Sequence, residues 1–140
     1  MRKTLIGVFL WFIFFLLMCT KAYAYDYTPE EIVLIASVAQ SEAGNQTELG
    51  RRLVIDCILN RVESEEFPAS VSGVILQRGQ FTSRRLSPPP EMITWTAEEL
   101  YFRTDPNVLW FRTKQYSKYG APIVKEGAHF FSGKDGGNND

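Results

Sequence analysis

The sequence has few of the residues that hold metals or form disulfides. Its 140 residues include two cysteines, Cys19 and Cys57, and one histidine, His129. A structural zinc site normally takes four Cys or His ligands, and catalytic zinc sites are often rich in His. These counts argue against zinc-dependent chemistry, and we expect the protein to need no cofactor.

The sequence also lacks an excess of charge of either sign. It has 15 basic and 16 acidic residues, so nothing in its charge favours binding to nucleic acid. Its 45% hydrophobic, 22% charged and 14% aromatic residues are close to the composition of ordinary globular proteins. This composition excludes a disordered, collagen-like or coiled-coil chain, and the length fits about one domain.

Residues 1–24 have the pattern of a secretory signal peptide. Arg2 and Lys3 give a positive start, residues 5–18 form an uncharged and mostly apolar run, and residues 22–24 have the small-x-small pattern of a cleavage site. The run is shorter than the roughly 17–25 residues that span a bilayer. We therefore expect cleavage near Ala24 and a secreted, extracytoplasmic protein, with an uncleaved membrane anchor as the alternative.

Cleavage after Ala24 would leave a single domain of residues 25–140. The removed segment carries three basic residues and no acid, so the remainder has 12 basic and 16 acidic residues and a net charge of −4. Cys57 becomes the only cysteine, which excludes an internal disulfide. A domain of this length can bury a core without covalent cross-links. We expect a monomer whose contact with the membrane is confined to the signal segment.

Two capped helices are predicted in the first half of this domain. Thr28 is the N-cap of the first, proline follows at the first helical position, and Glu31 completes a capping box. Gly44-Asn45 ends this helix. Thr47 caps a second helix over residues 48–62, whose apolar residues lie on nearly all sides. Such a helix is buried, so we expect it at the centre of the fold.

The second half is predicted to contain two further helices and some β-structure. A short helix is expected over residues 69–77, whereas the Ser-Pro-Pro-Pro run of residues 87–90 excludes both helix and central strand. Thr96-Ala97-Glu98-Glu99 is a capping box for a helix that ends before Pro106. Residues 108–112 and 128–132 are short and rich in aromatic residues, which predicts a β-hairpin or small sheet. Residues 133–140 are polar and glycine-rich, typical of a frayed end.

Glu42 is the residue whose position suggests chemistry. It follows Ala39, Val38 and Ile35 by three, four and seven residues, which places it on the apolar face of the first helix. It also lies in the last turn, where the helix dipole disfavours a negative charge. Desolvation and the dipole both favour the protonated carboxyl, the form that a general acid needs. The alternative is an ordinary glutamate that is rotated to the rim and solvated.

Cysteine and histidine give weaker hypotheses. Cys57 and His129 could indicate a thiol peptidase, but Cys57 lies in the middle of an apolar helix, away from the N-terminal position that stabilises a thiolate. We expect a buried, inert thiol. His129 stands among apolar residues, where a histidine is either a structural hydrogen-bonding group or a functional one.

Four blocks of sequence carry a resemblance in their order and spacing. They are Ala39-Gln40-Ser41-Glu42-Ala43-Gly44; Ile58-Leu59-Asn60-Arg61-Val62 with Phe67-Pro68; Gly79-Gln80-Phe81-Thr82; and Glu126-Gly127-Ala128-His129-Phe130-Phe131. Together they resemble the SleB-type cell wall hydrolases, the spore cortex-lytic enzyme family. The resemblance implies an α+β, mainly α, lysozyme-like fold with a small sheet near the C-terminus. It also implies a lytic transglycosylase in the cell wall, with peptidoglycan glycan strands as substrate and Glu42 as the catalytic acid.

The same blocks and the aromatic residues supply candidates for substrate binding. Polar residues at the ends of elements are plausible cleft residues, and aromatic faces stack on sugar rings. For Gln80 and His129 the expectation comes mainly from the resemblance. The expected set is Asn60, Gln80, Phe81, Thr82, Tyr101 and His129.

No second catalytic carboxylate is evident. The other acids considered all have the pattern of solvated surface residues: Glu48, Asp56, Glu63, Glu65, Glu66 and Asp105. Glycosidases normally need two carboxylates, whereas a transglycosylase needs one, so a water-using muramidase is the second choice. A non-catalytic peptidoglycan-binding or envelope-structural module on the same fold is the alternative, although such a module has no need of a carboxyl on an apolar face.

Overall fold

The structure, a computed structural model, describes residues 25–134. The predicted signal peptide with its cleavage site, and most of the predicted polar end, lie outside these residues. Within the described residues, no helix has the length and apolar character needed to cross a membrane.

Helix α1 (Pro29–Ala43) begins as the sequence predicts. The hydroxyl of Thr28 accepts a hydrogen bond from the Glu31 N–H at 3.2 Å, and Glu31 Oε2 accepts one from the Thr28 N–H at 3.0 Å. The capping box is therefore complete. The helix buries Ile35, Val38 and Ala39 against the core and ends beside Gly44, which leaves Glu42 in its last turn.

Helix α2 (Glu48–Val62) is the centre of the core, as its composition predicts. Thr47 caps it by accepting a hydrogen bond from the Gly50 N–H at 3.1 Å. Every residue from Leu53 to Val62 is buried. The helix packs against α1, against the short helix α3 (Val71–Ile75), against helix α4 (Pro90–Tyr101) and against strand β1 (Val108–Arg112).

Helix α4 begins seven residues before its predicted start, with Pro89 rather than Thr96 as N-cap. Pro90 is its first residue, so the prediction of a non-helical residue there was wrong, because a proline in the first turn needs no N–H partner. The predicted N-cap, Thr96, lies inside the helix, fully buried, and its hydroxyl donates to the Met92 carbonyl at 2.8 Å. Helix α3 is also shorter than predicted, with Ser70 as its N-cap.

Three strands form a sheet in the order β1-β3-β2, where β2 is Ala121–Glu126 and β3 is His129–Gly133. Strand β3 pairs antiparallel with both neighbours, which confirms the predicted β-structure at residues 108–112 and 128–132. Strand β2 was not predicted. It contains Pro122, which is compatible with an edge strand and obscures the pattern of a strand in the sequence.

A buried acidic pair lies between α2 and α4. Asp56, predicted to be solvated, is fully buried, and its Oδ2 accepts a hydrogen bond from the Asp105 N–H at 2.7 Å. Its carboxyl interacts with that of Glu99, which is 1% exposed. Glu99 in turn accepts hydrogen bonds from Arg52 Nη1 at 2.9 Å and from the Thr104 N–H at 2.6 Å. The solvated prediction for Asp56 was wrong because α4 brings Glu99 inward over this face of α2.

Candidate active site

A cavity of about 690 Å³ opens where the end of α1 meets the end of α2 and the sheet. The end of α1 contributes Glu42, and the first position of β3 contributes His129. The other lining residues come from the end of α2, the loop after α3, β1 and the β1–β2 loop. They are Arg61, Gly79, Gln80, Trp110, Phe111, Arg112, Thr113, Ser117, Lys118 and Tyr119.

Glu42 is the only acidic side chain among the described residues that line this cavity. The side chain is half-buried, and its Oε1 accepts a hydrogen bond from the Thr82 N–H at 2.5 Å. Within residues 25–134, Oε2 makes no hydrogen bond. The loop after α3 therefore holds one carboxyl oxygen of Glu42 and leaves the other without a partner among the described residues.

Arg61 joins the elements that form the cavity. Its Nε donates to the Leu109 carbonyl at 2.7 Å, and its Nη1 donates to Gln80 Oε1 at 2.9 Å. The guanidinium carbon lies 4.8 Å from the ring centre of Phe67 and 5.3 Å from that of Phe81. Arg61 is only 3% exposed. This buried cation ties α2 to β1 and to the loop whose Thr82 contacts Glu42.

His129 is packed edge-on against aromatic rings. Its ring centre lies 5.2 Å from that of Phe111 and 5.9 Å from that of Phe131. Burial lowers the pKa of His129, and the opposing influence of the Glu42 carboxylate does not reverse this. The imidazole is therefore neutral at neutral pH and adds no positive charge to the cavity. Its Nδ1 is buried and makes no hydrogen bond with the described residues.

The structure brings together four of the six residues predicted to bind substrate. Gln80 and His129 line the cavity, and the Thr82 N–H reaches Glu42. Phe81 packs beside the cavity, with its ring centre 6.1 Å from that of Phe111.

The other two predicted substrate-binding residues lie elsewhere. Asn60 is buried, and its Nδ2 donates hydrogen bonds to the carbonyls of Asp105 and Val108, both at 2.9 Å. Its amide therefore connects the end of α2 to the start of β1. Tyr101 is 82% exposed at the end of α4 and lines a separate cavity of about 590 Å³ near Arg52.

The sequence patterns did not reveal the cavity residues at the end of β1 and in the β1–β2 loop. Arg112, Lys118 and Tyr119 line the cavity although none lies in the four sequence blocks. The Ser117 N–H donates to Ser132 Oγ at 3.0 Å, which fixes this loop to β3. No local pattern in the sequence indicates that contact. The only sequence feature that points to a binding surface here is the mixture of basic and aromatic residues between Trp110 and Tyr119.

Cys57 belongs to the core of the fold rather than to this cavity. Cys57 is fully buried, its thiol is free, and burial raises its pKa to about 11. It does not line the cavity. No group of three or more His, Cys, Asp or Glu residues able to hold a metal ion occurs in the part of the chain that the structure describes.

Known proteins resemble this chain in sequence and structure. A sequence model described as Cell Wall Hydrolase matches residues 45–132, a range that begins just after Glu42. A spore cortex-lytic enzyme of Bacillus cereus is 40% identical over 57 residues, which cover 41% of this chain and 22% of that protein. The chain thus matches about a fifth of the length of that curated relative.

Two solved structures are also similar. The catalytic domain of the Bacillus cereus SleB protein has a TM-score of 0.68 and 29% identity, over 77% of this chain and 93% of that one. The catalytic domain of the germination-specific lytic transglycosylase SleB from Bacillus anthracis has a TM-score of 0.66 and 28% identity, over 77% and 98%. The family resemblance and the mainly helical fold class expected from the sequence are thereby confirmed.

Proposed function

Because this chain belongs to the cell wall hydrolase family, we propose that it cleaves peptidoglycan glycan strands between N-acetylmuramic acid and N-acetylglucosamine. The reaction class is that of a lytic transglycosylase. The observation that carries the proposal is the single carboxyl of Glu42 in the cavity. One structural relative is itself described as a germination-specific lytic transglycosylase.

The number of carboxyl groups at the cavity favours a transglycosylase over a water-using muramidase. Glycosidases that use water normally need a second carboxylate. Among the six acids considered from the sequence, Asp56 is buried beside α4 and Asp105 is half-buried, and the others are exposed: Glu48, Glu63, Glu65 and Glu66. None of these lines the cavity.

In the proposed reaction, Glu42 acts first as acid and then as base. Its carboxyl proton goes to the glycosidic oxygen as the bond from C1 of the muramic acid residue to that oxygen breaks. The resulting carboxylate then takes the proton of the C6 hydroxyl of the same residue, and O6 bonds to C1. The product is a 1,6-anhydro ring, Glu42 regains its proton, and no water is consumed.

The surroundings of Glu42 support both halves of this cycle. The Thr82 N–H at 2.5 Å from Oε1 stabilises the carboxylate after it has given up its proton. The same bond fixes the direction of the carboxyl, so that Oε2 is the oxygen available for proton transfer. Arg61 helps to hold the loop that carries Thr82, because its Nη1 donates a hydrogen bond to Gln80 in the same loop.

The Glu42→Gln variant tests the proposal, with Glu65→Gln, a change at an exposed loop residue, as the matched control. Glutamine keeps an oxygen for the Thr82 N–H but cannot donate and regain the proton. We expect a normally folded variant whose turnover falls by at least the ~10²–10⁴-fold that general acid–base catalysis supplies. The control should keep the wild-type rate.

Mass spectrometry of the muropeptides released by the wild-type protein identifies the reaction. Anhydro products are lighter by one water than muramidase products. Products with a free reducing end would refute the transglycosylase step while leaving Glu42 as the acid. An active Glu42→Gln variant would overturn the mechanism as a whole, and a wild-type protein that releases no fragments would favour the binding-module alternative.

We further propose that the enzyme reaches this substrate by export. Peptidoglycan lies outside the cytoplasm, which agrees with the signal peptide expected in residues 1–24. The proposed working form is a secreted monomer of the cell wall after cleavage near Ala24.

A further inference from the structure

We propose that Trp110, Arg112, Lys118 and Tyr119, here called the β1 rim, form a subsite for a muramyl unit that carries a carboxylate. All four residues line the cavity that contains Glu42. The inference rests on the proposed function and specifies the chemical form of the substrate. The carboxylate has two possible sources, the lactyl group of muramic acid itself and the peptide attached to it.

The charge of the cavity is opposite to that of the chain around it. Residues 25–134 contain 12 basic and 14 acidic residues, whereas the cavity lining contains three basic residues and one acid. Arg61 is occupied by the Leu109 carbonyl and by Gln80. Arg112 and Lys118 have no carboxylate within 4 Å among the described residues, and both are exposed at the cavity. Two cations thus face the substrate space with no acidic partner from the described residues.

An aromatic surface lies beside these cations. The ring centres of Trp110 and Tyr119 are 6.5 Å apart, and the Lys118 ammonium lies 5.0 Å from the Tyr119 ring centre. The Trp110 ring lies against Gly120, where a β-carbon would come within 2.6 Å of ring atom Cζ3. The C–H face of a sugar ring stacks on such a surface, and a carboxylate on that sugar would reach the neighbouring cations.

The β1 rim is held in place before any substrate binds. The Ser117 N–H donates to Ser132 Oγ at 3.0 Å, and the Tyr119 N–H donates to Ser117 Oγ at 3.2 Å. Ser117 and Ser132 are both buried. The loop that carries Lys118 and Tyr119 is therefore anchored to β3, which reduces the entropy cost of binding an extended strand.

The test measures binding of soluble glycan fragments to the Glu42→Gln variant by calorimetry. One substrate arm carries its peptides, a second has them removed to leave the free lactyl carboxylate, and each is compared with a version whose carboxylates are converted to neutral amides. We expect neutralisation to raise the Kd about fivefold in at least one arm, the effect of two partly exposed ion pairs. The arm that responds identifies the source of the carboxylate.

Three variants, each made in the Glu42→Gln background, separate charge recognition from other effects. Arg112→Gln with Lys118→Gln should raise the Kd for the responding carboxylated fragment about fivefold and abolish the effect of neutralisation. Lys114→Gln with Lys125→Gln removes the same charge from exposed residues outside the cavity and should change nothing. Tyr119→Ala should weaken binding of charged and neutral fragments alike, because stacking does not depend on the carboxylate.

The outcomes distinguish this inference from the proposed function. Equal binding of charged and neutralised fragments would overturn the subsite. So would a neutralisation effect that survives in the Arg112→Gln/Lys118→Gln variant. Fragment release by the wild-type protein is scored separately, so cleavage without charge discrimination refutes only the subsite, and absence of cleavage refutes only the catalytic proposal.

Discussion

Replacement of Asp56 by asparagine should stabilise the protein at neutral pH. Burial raises the pKa of Asp56 to about 9, and the neighbouring Glu99 carboxylate reinforces the shift, although the Asp105 N–H opposes it. The folded protein therefore keeps a proton on Asp56 at neutral pH, while the pKa of Glu99 is lowered. The Asp56 Oδ1 is buried and has no hydrogen-bond partner among the described residues.

The magnitude follows from the difference between the folded and unfolded states. An unfolded chain releases this proton near pH 3.9, so between about pH 4 and pH 9 the folded state binds one proton more than the unfolded state. Stability then falls by up to ~1.4 kcal/mol for each pH unit gained in that window. At pH 7 the accumulated cost is as much as about 4 kcal/mol.

Asparagine resembles the protonated aspartic acid and does not titrate. It can accept from the Asp105 N–H and donate to Glu99, so Asp56→Asn should recover a large part of that cost at pH 7 and almost none at pH 4. Since 1 kcal/mol corresponds to roughly 4–8 °C in Tm for a domain of 60–100 residues, we expect a gain of several degrees or more.

Thermal and denaturant unfolding of both proteins from pH 4 to pH 9 provides the measurement. Asp26→Asn, a change at an exposed aspartate, controls for the loss of one negative charge. The difference in stability between Asp56→Asn and wild type should grow with pH. A difference that is independent of pH, or a variant that is less stable than wild type at pH 7, would refute the assignment of the proton to Asp56.

Two further substitutions test the roles of buried residues of α2. Arg61→Lys keeps the charge but loses the planar fork that reaches both the Leu109 carbonyl and Gln80. Turnover, measured by muropeptide release, should therefore fall roughly 10- to 100-fold, and the free energy of unfolding, followed by Tm, should fall by about 1–3 kcal/mol. Wild-type turnover would show that this link does not position Glu42. Cys57→Ala should keep most of the activity with a stability loss of about 1 kcal/mol, and loss of turnover in a folded variant would instead support a thiol enzyme.

The sequence predicted those features whose causes are local. The cap at Thr28 was found because its partner Glu31 is three residues away and no distant contact opposes it. The same pattern at Thr96 led to a wrong helix start, since the cap there competes with a helix that already begins at Pro90. Short-range patterns describe what a segment can do alone, and packing decides between alternatives.

The candidate site shows the same division. Glu42 was identified from its spacing on one helix, and its neighbours Gln80 and His129 came from sequence blocks. Asn60 is also polar and also lies near the end of a helix. Its side chain is nevertheless buried, because its amide donates hydrogen bonds to the carbonyls of Asp105 and Val108. The β1 rim could not be found, since its place beside Glu42 depends on a pairing between β1 and β3 across some twenty residues.

The middle position of β3 in the sheet determines when the cavity can form. Within the described residues, β1 and β2 each pair only with β3, so neither strand has a partner until His129–Gly133 has emerged from the ribosome or from an export channel. The same strand brings His129 into the cavity. A chain that emerges N-terminus first can therefore fold its helices early but completes the sheet last. Completion of the cavity is then delayed until the last strand of the sheet has been synthesised.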